Sequence, residues 1–407
     1  MSTTTGDMVH VPALGTGRLF AAAAPSLAAH EAAYGKRALD WTRESLLAEL
    51  EASGLAGRGG AGFPAWRKLS SVTGRRPVVI ANGAEGEPLS RKDAALLRGA
   101  PHLVLDGLLT AGEALGAAQL FLYAPADSLA IVGRAVSERR DARRVKLVEA
   151  PGTFIAGEAS AVVNALETGN AVPRDTTARL SVSGFRGLPT LLHNIETLAH
   201  LALVARYGAT WFRKAGTAED PGTRLVSVSG DVPGDAVIEV EGGARLRDIL
   251  TAAGAGAGST AAVLVGGFHG AWVPRDGFDR PMTAAGLARY AARPGAGIVY
   301  AVAEGRCGLA AAAPIARYLA DSSAQQCGPC MFGLPAMATV LERIAAGERT
   351  PWLASEAERL AGVVSGRGAC RHPDGTAGFV RSTLSVFRNE VQAHLGGVCS
   401  AGPRGDR

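Results

Sequence analysis

The alternation of apolar and polar positions changes period several times along the chain. Residues 1–50 form an Ala-rich lead-in with one distinct helical pattern, in which Leu46, Leu47 and Leu50 share a face over 44–52 and Thr42 stands at the N-cap. A Gly-rich turn follows over 53–60. Val78, Val79 and Ile80 then make a short continuous apolar run over 77–81 that stops at Asn82-Gly83, a turn pair. Helical patterns over 92–98 and 107–114, a strand over 119–124, a helix over 129–139 and a strand over 145–149 come next. Gly157 opens a further helix that buries Val162, Val163 and Leu166, and 194–204 reads as helix again. Strands alternating with helices predict an α/β fold with a largely parallel sheet.

From residue 225 the pattern shifts. Apolar alternation over 225–228, a turn at Asp231-Val232-Pro233-Gly234, a return strand over 237–240, a short helix over 245–252 and a strand over 262–265 predict a small β-grasp unit. Beyond Leu309 only helical patterns remain, over 314–319, 334–346, 356–364 and 379–395, and these predict a C-terminal helical bundle. The expected organisation is a lead-in over 1–50, an α/β domain over 51–220, the β-grasp unit over 221–277 and the helical domain over 278–407.

Composition narrows the picture. A chain of 407 residues with 47% hydrophobic and 19% charged residues has room for two or three cores and is not a disordered or fibrous sequence. Of 42 basic residues only five are Lys (Lys36, Lys68, Lys92, Lys146 and Lys214), and no segment concentrates charge as a nucleic-acid-binding surface would. Arg143-Arg144 and the tail around Arg404 read as solvated surface. The N-terminus lacks the basic and apolar regions of a signal peptide. The uncharged run over 251–273 is interrupted by Gly254, Gly256, Gly258, Gly266, Gly267, His269 and Gly270, so it reads as helix end, loop, strand and turn rather than a membrane span. All five cysteines (Cys307, Cys327, Cys330, Cys370 and Cys399) lie in the last quarter, a clustering that points to one local site in a reducing compartment.

Five motifs carry chemistry. Gly57-Arg58-Gly59-Gly60-Ala61-Gly62-Phe63-Pro64, with Lys68 after it, offers backbone N–H groups and a cation to a phosphate. Asn82-Gly83-Ala84-Glu85-Gly86-Glu87-Pro88 stands just past a strand, where ligands of parallel sheets bind. Gly157-Glu158-Ala159-Ser160 opens a helix whose N-terminus attracts anions. His193-Asn194-Ile195-Glu196-Thr197 is the fourth. Cys327-Gly328-Pro329-Cys330, with Cys370 about forty residues on, suits a metal or iron–sulfur site. Thioredoxin-type dithiols share the Cys-Gly-Pro-Cys string, but that reading leaves Cys370 unexplained and puts a redox motif in an all-helical segment.

In this order, over about residues 50–395, the motifs resemble those of the flavin-carrying, NADH-binding subunit of respiratory complex I and of related diaphorase subunits. The resemblance implies a Rossmann-like FMN/NADH domain, a soluble-ligand-binding β-grasp insert marked by Val228–Gly234 and Leu264–Gly267, and a C-terminal helical bundle with an iron–sulfur site. It implies FMN and nicotinamide contacts at Gly57, Arg58, Gly59, Gly60, Phe63, Lys68, Asn82, Glu85, Glu87, Gly157, Glu158, His193, Asn194 and Thr197, and cluster ligands at Cys327, Cys330 and Cys370. The implied activity is an NADH dehydrogenase-type flavin oxidoreductase subunit that passes electrons from NADH through FMN to the cluster and a partner. That partner would be a thioredoxin-like [2Fe–2S] subunit, a ferredoxin-like protein or a membrane reductase. The implied location is cytoplasmic, peripheral on a membrane through the partner.

The sequence also departs from the family. Ala84 and Ala159 replace acids, His193 replaces Asn, Ser71 replaces an aromatic, and Asp175-Thr176-Thr177-Ala178-Arg179 stands where the family has Lys-Pro-Pro-Phe-Pro. Most of these losses fall on the nucleotide side, where Arg179 or Trp66 would have to compensate. They leave open a relay in which FMN and cluster persist but the donor is not NADH. Ala324 occupies the first cysteine position of the cluster motif. The expectation is therefore a [4Fe–4S] cluster with a fourth ligand from Asp321, Ser322, Ser323, Cys307 or Cys399, a [3Fe–4S] cluster on three thiolates, or another metal or none. For Cys307 and Cys399 themselves the simpler expectation is packing as small apolar residues.

Overall fold

A computed structural model describes residues 12–37, 40–174, 178–399 and 401; the expectations placed on the first eleven residues, on Asp175–Thr177 and on the tail around Arg404 lie outside them. The chain forms two compact units, the first running to Ser227 and including Val237–Ala244, the second made of Val228–Ala236 and everything from Arg245.

In the first unit a two-residue strand, β1 (Ala13–Leu14), and two helices, α1 (Leu27–Tyr34) and α2 (Arg43–Ser53), occupy the predicted lead-in. Thr42 caps α2 as expected: its hydroxyl accepts the Ser45 N–H at 3.2 Å while Ser45 Oγ accepts the Thr42 N–H at 3.1 Å. There follow α3 (Ala65–Ser70), β2 (Val78–Asn82), α4 (Lys92–Gly99), α5 (Pro101–Ala114), β3 (Gln119–Ala124), α6 (Ala126–Ser137), β4 (Val145–Glu149), α7 (Ala159–Thr168), β5 (Thr190–Asn194) and α8 (Ile195–Phe212). The strands form a parallel sheet in the order β4-β3-β2-β5. Its two faces feed separate cores. Val79, Ala81, Leu120, Leu122 and Leu191 pack with α5 and α8, while Val78, Ile80, Phe121, Tyr123 and Leu192 pack against Val162 and Val163 of α7. A strand buried on both faces needs apolar residues at every position, which is why 78–81 shows no alternation. The unit ends in β6 (Thr223–Gly230), within which the chain crosses to the second unit, and β7 (Ala236–Glu241), which pairs in parallel with β1.

The second unit holds α9 (Leu246–Ala252), β8 (Thr260–Val265), β9 (Ala271–Pro274) and β10 (Ile298–Ala303), with β8 antiparallel to both β9 and β10. Five helices follow: α10 (Gly308–Asp321), α11 (Leu334–Ala345), α12 (Leu353–Val364), α13 (His372–Val386) and α14 (Arg388–Leu395). Trp272 of β9 is fully buried, and its indole N–H donates to Thr383 Oγ1 of α13 at 3.1 Å, tying strands to helices. The single helix expected over 379–395 is two. Phe387 leaves helical geometry (φ −97°, ψ 29°) and packs its ring 5.0 Å from that of Trp272, while Val391 and His394 of α14 are buried after the break. Among the described residues no helix is long and apolar enough to cross a membrane.

Candidate cofactor sites

The Gly-rich loop is closed at its base. The Gly57 N–H donates to the Phe63 carbonyl at 2.9 Å and the Ala65 N–H to that of Leu55 at 2.9 Å. The Arg58 N–H donates to Thr197 Oγ1 at 2.9 Å and so pins the loop to the first turn of α8. A Cβ on Gly59 would lie 2.9 Å from Asn194 Cβ, and Gly60 has φ +117°, so both positions need the missing side chain. Phe63, at the end of the loop, is half exposed (51%). The Arg58 side chain differs from expectation: its buried guanidinium donates to Asp220 at 3.5 Å and to the Pro221 carbonyl at 3.2 Å, so it anchors the loop from behind.

The strand-end motifs converge on the same place. Asn82 Nδ2 donates to the Gly157 carbonyl at 3.0 Å and its Oδ1 accepts the Ala84 N–H at 3.1 Å, which joins 82–88 to 157–158. A Cβ on Gly86 would fall on the Phe154 carbonyl, so the two segments touch backbone to backbone. Glu85 caps α4: its carboxylate accepts the N–H groups of Asp93 (2.8 Å) and Ala94 (3.0 Å) and the Ser90 hydroxyl (2.6 Å). Glu158 caps α7 through Ser160 and Ala161, and Asn194 caps α8 through the Glu196 N–H at 3.0 Å. Glu87 is half-buried. Strand register places Tyr123 and Asn194 on either side of Asn82, and His193 beside Ala81.

Beneath these ends lies a buried ion network that sequence reasoning missed. Lys92 Nζ is 2.7 Å from Asp93, 2.9 Å from Glu196 and 3.3 Å from Asn194 Oδ1, and Asn194 Nδ2 donates to Asp93 at 2.6 Å. Burial pushes the Asp93 carboxyl up to about 7 although Lys92 pulls it down, and the two carboxylates keep the Lys92 ammonium charged despite burial. The available signal was that Lys92 is one of five lysines in an Arg-dominated chain.

Polar groups without protein partners define what the site lacks. Tyr123 Oη and His193 Nε2 are buried and, among the described residues, unpaired. Burial holds the His193 imidazole down at about 3, with Lys68 adding to it, and pushes the Tyr123 phenol up to about 12. Lys68 of α3 is desolvated enough to be lowered itself, and nothing among the described residues pairs with it. An ammonium close enough to act on the His193 imidazole, whose Nε2 is orphaned among the described residues, in the helix that follows the Gly loop, fits an anionic ligand with a polar ring system, as FMN is. On the nucleotide side, the Ser71 hydroxyl donates to the Lys68 carbonyl at 2.8 Å, Trp66 packs on the core beneath Arg67, and Arg179 is exposed.

In the second unit Cys327 and Cys330 bracket the start of a π-helical turn (Pro329–Gly333) ahead of α11, and Cys370 stands just before α13. The three thiols share one neighbourhood. Cys330 is buried and pushed up to about 12 by burial, Cys327 and Cys370, while Cys327 is lowered in spite of burial by the N–H groups of Ala369 and Cys330. Ser323 Oγ, next to Ala324, is buried and has no partner among the described residues. Three thiols in one neighbourhood fit the cysteine side of an iron–sulfur cluster. Cys307 and Cys399 correct the packing expectation: Cys399 is exposed, and both meet His394 in a separate group.

Residues 50–203 match the family described as the Nuo51 FMN-binding domain, and residues 310–394 the NADH-ubiquinone oxidoreductase-F iron–sulfur binding region. The chain is 28% identical to an NADH-quinone oxidoreductase subunit of Rhizobium meliloti, over 91% of this chain and 94% of that protein. It is 27% identical to the NADP-reducing hydrogenase subunit HndC of Solidesulfovibrio fructosivorans, over 88% and 78%. Among solved structures, an H2-reduced NAD+-reducing [NiFe]-hydrogenase superposes with a TM-score of 0.78 at 29% identity. That match covers 87% of this chain but only 63% of the hydrogenase chain.

Proposed function

We propose, from the premise that the chain belongs to the family of FMN- and NADH-binding, iron–sulfur subunits of respiratory complex I and related diaphorases, that it is the electron-entry subunit of a multi-subunit NADH oxidoreductase. The observation that carries this is the convergence of the Gly57–Phe63 loop, Asn82–Glu87, Gly157–Glu158 and His193–Thr197 at the carboxyl ends of β2 and β5, with the Lys68 ammonium acting on a buried His193 whose Nε2 has no partner among the described residues. FMN, when bound, couples two-electron exchange with a nicotinamide nucleotide to one-electron transfer, and an iron–sulfur cluster carries single electrons onward.

The residues divide into two groups. Lys68 would supply positive charge to a phosphate, Gly59 and Gly60 would let the backbone approach it, and His193, kept neutral by burial, would offer Nε2 for a hydrogen bond to the flavin. Arg58, Glu85, Asn194 and Thr197 hold loop and helix ends in place, because their polar groups are already engaged in the fold. Half-exposed Phe63 and half-buried Glu87 would contact the nicotinamide nucleotide. Cys327, Cys330 and Cys370 would hold the cluster, [4Fe–4S] in type as the matched family region implies, and the hydroxyl of Ser323, beside the missing cysteine position at Ala324, would be the candidate non-cysteine ligand. Strand–turn–strand–helix–strand over 223–265 supports reading the insert as a soluble-ligand-binding β-grasp. Exposed Met331 (52%) and Phe332 (72%) beside the cysteines support docking of a thioredoxin-like [2Fe–2S] subunit, a ferredoxin-like protein or a membrane reductase there. A relay fed by a donor other than NADH is not favoured, since the relatives named above are NADH- or NADP-linked.

Protein purified anaerobically should show flavin absorption and iron, and NADH should bleach the flavin band; a coloured protein indifferent to NADH would overturn the choice of donor. Lys68→Ala should weaken FMN binding to the flavin-free protein about ten- to hundredfold in a fluorescence titration, since a charge-assisted contact contributes about 1.5–3 kcal/mol. Cys370→Ser should lower iron per chain and leave flavin unchanged; equal iron would remove Cys370 from the ligand set.

A further inference from the structure

The geometry points to a second metal site, for a single zinc-type cation, formed by Cys307, His394 and Cys399. The ligand atoms of these three residues all lie within 4.8 Å of one another. None of them belongs to the Cys327–Cys330–Cys370 group, so the site does not depend on the cluster reading.

Each ligand is prepared by its surroundings. Cys307 is the N-cap of α10, and its Sγ accepts the Ala310 N–H at 3.4 Å, a donor that supports a thiolate once a cation has displaced the thiol proton. His394 is buried on α14, with Nδ1 3.1 Å from the carbonyls of both Ile344 and Ala345 at the end of α11. A carbonyl can only accept, so Nδ1 carries the proton and the Nε2 lone pair is left toward Cys307, in the backbone-oriented tautomer that metal-ligating histidines adopt. Nε2 stands 3.5 Å from Cys307 Sγ. A tetrahedral zinc with bonds of about 2.3 Å to sulfur and about 2.0–2.1 Å to nitrogen separates those two atoms by about 3.5–3.6 Å. Cys399 is exposed, which gives the ion a route from solvent. Glu390, one helical turn before His394, accepts the Gly308 N–H at 2.7 Å and so stands at the same helix end, and the fourth place falls to water or to its carboxylate.

Two thiolates and an imidazole select a borderline-soft divalent ion over magnesium or calcium. Bound there, the ion fastens the segment that follows α14 to the first turn of α10. Binding releases two thiol protons, so uptake strengthens as the pH rises.

The test uses the full chain with its flavin and iron, titrated with Zn2+ against a chromophoric chelator and separately with Co2+ as a spectroscopic probe. The expected result is one zinc per chain in addition to the iron, cobalt–thiolate charge-transfer absorption, and no competition from Mg2+. Cys399→Ser, an exposed change that leaves the fold alone, should weaken zinc by roughly tenfold or more and lose the cobalt band, with iron and flavin unchanged. Cys307→Ser should do the same. The inference is overturned by protein that takes up no zinc, by equal affinity in Cys399→Ser, by zinc that disappears in Cys370→Ser but survives in Cys399→Ser, or by a Cys307–Cys399 disulfide that persists in anaerobic protein given zinc.

Discussion

Lys92→Ala is expected to destabilise the flavin-binding unit by about 3–5 kcal/mol near pH 8, because it leaves buried carboxylates without their cation. Lys92 and its partners Asp93 and Glu196 are almost inaccessible (side chains 2%, 3% and 1% exposed), so solvent cannot take over from the lost ammonium. The loss should depend on pH in a direction the pair dictates. Asp93 already titrates near 7 through burial and, without Lys92, holds a proton to higher pH still. At about pH 5.5 the variant's Asp93 is therefore neutral in the native state while the unfolded one, with a pKa near 3.9, is charged, so the variant recovers part of its stability on acidification. Denaturant midpoints at the two pH values measure both effects. A loss under about 1 kcal/mol at pH 8, or the same loss at both, would show that the pair is not the keystone of these strand ends. Glu196→Gln in the Lys92→Ala background should restore stability in part, since it removes one unpaired charge while its side-chain oxygen still accepts the Leu225 N–H. Flavin affinity should fall with Lys92→Ala too, because Lys92 and Asp93 fix the Asn194 amide against which Gly59 packs.

That network marks where the sequence stopped being readable. The strands at 119–124 and 145–149 and the helices around 46–50 and 162–163 were legible because one local pattern determines each. β5 was not: Thr190-Leu191-Leu192-His193-Asn194 is too short for a period, and a strand buried on both faces looks like the start of the helix that follows. α13 and α14 read as one helix because the break at Phe387 is set by a tertiary contact with Trp272, with no Gly or Pro to announce it. At the site, the motifs told which segments meet but not which atoms stay free. Arg58 and Glu85 look like ligand contacts in sequence and turn out to hold other parts of the protein, whereas Tyr123, an unremarked strand residue, ends with an orphaned phenol. The Cys307–His394–Cys399 group was invisible because its members are far apart in sequence and share no spacing motif.

His200→Leu should stabilise the same unit, by about 1 kcal/mol near neutral pH and by several as the medium is acidified. His200 is fully buried on α8, and neither ring nitrogen has a hydrogen-bond partner among the described residues. Two orphaned polar atoms cost more than the edge contact with Phe212, 5.7 Å away, returns, and Leu fills nearly the same volume. Burial, then Arg58, Arg18, Arg224 and Lys92, hold the imidazole well below its ordinary range, so it stays neutral in the native protein. The unfolded chain takes up a proton there below about pH 6.5, which makes the wild type lose up to about 1.4 kcal/mol per further pH unit at this residue. Leu cannot take up that proton. The gap between variant and wild type should therefore widen as pH falls from about 6.5 toward 5, where it gains about 2 kcal/mol over its neutral value. Buried carboxylates such as Glu239, which burial raises to about 6, titrate in both proteins and cancel from the difference. Stability curves that run parallel with pH would mean that His200 is protonated in the native state, a fifth positive charge beside Arg58, Arg18, Arg224 and Lys92. A neutral imidazole is what allows Arg58 and Arg224 to share Asp220 behind the Gly-rich loop without further repulsion.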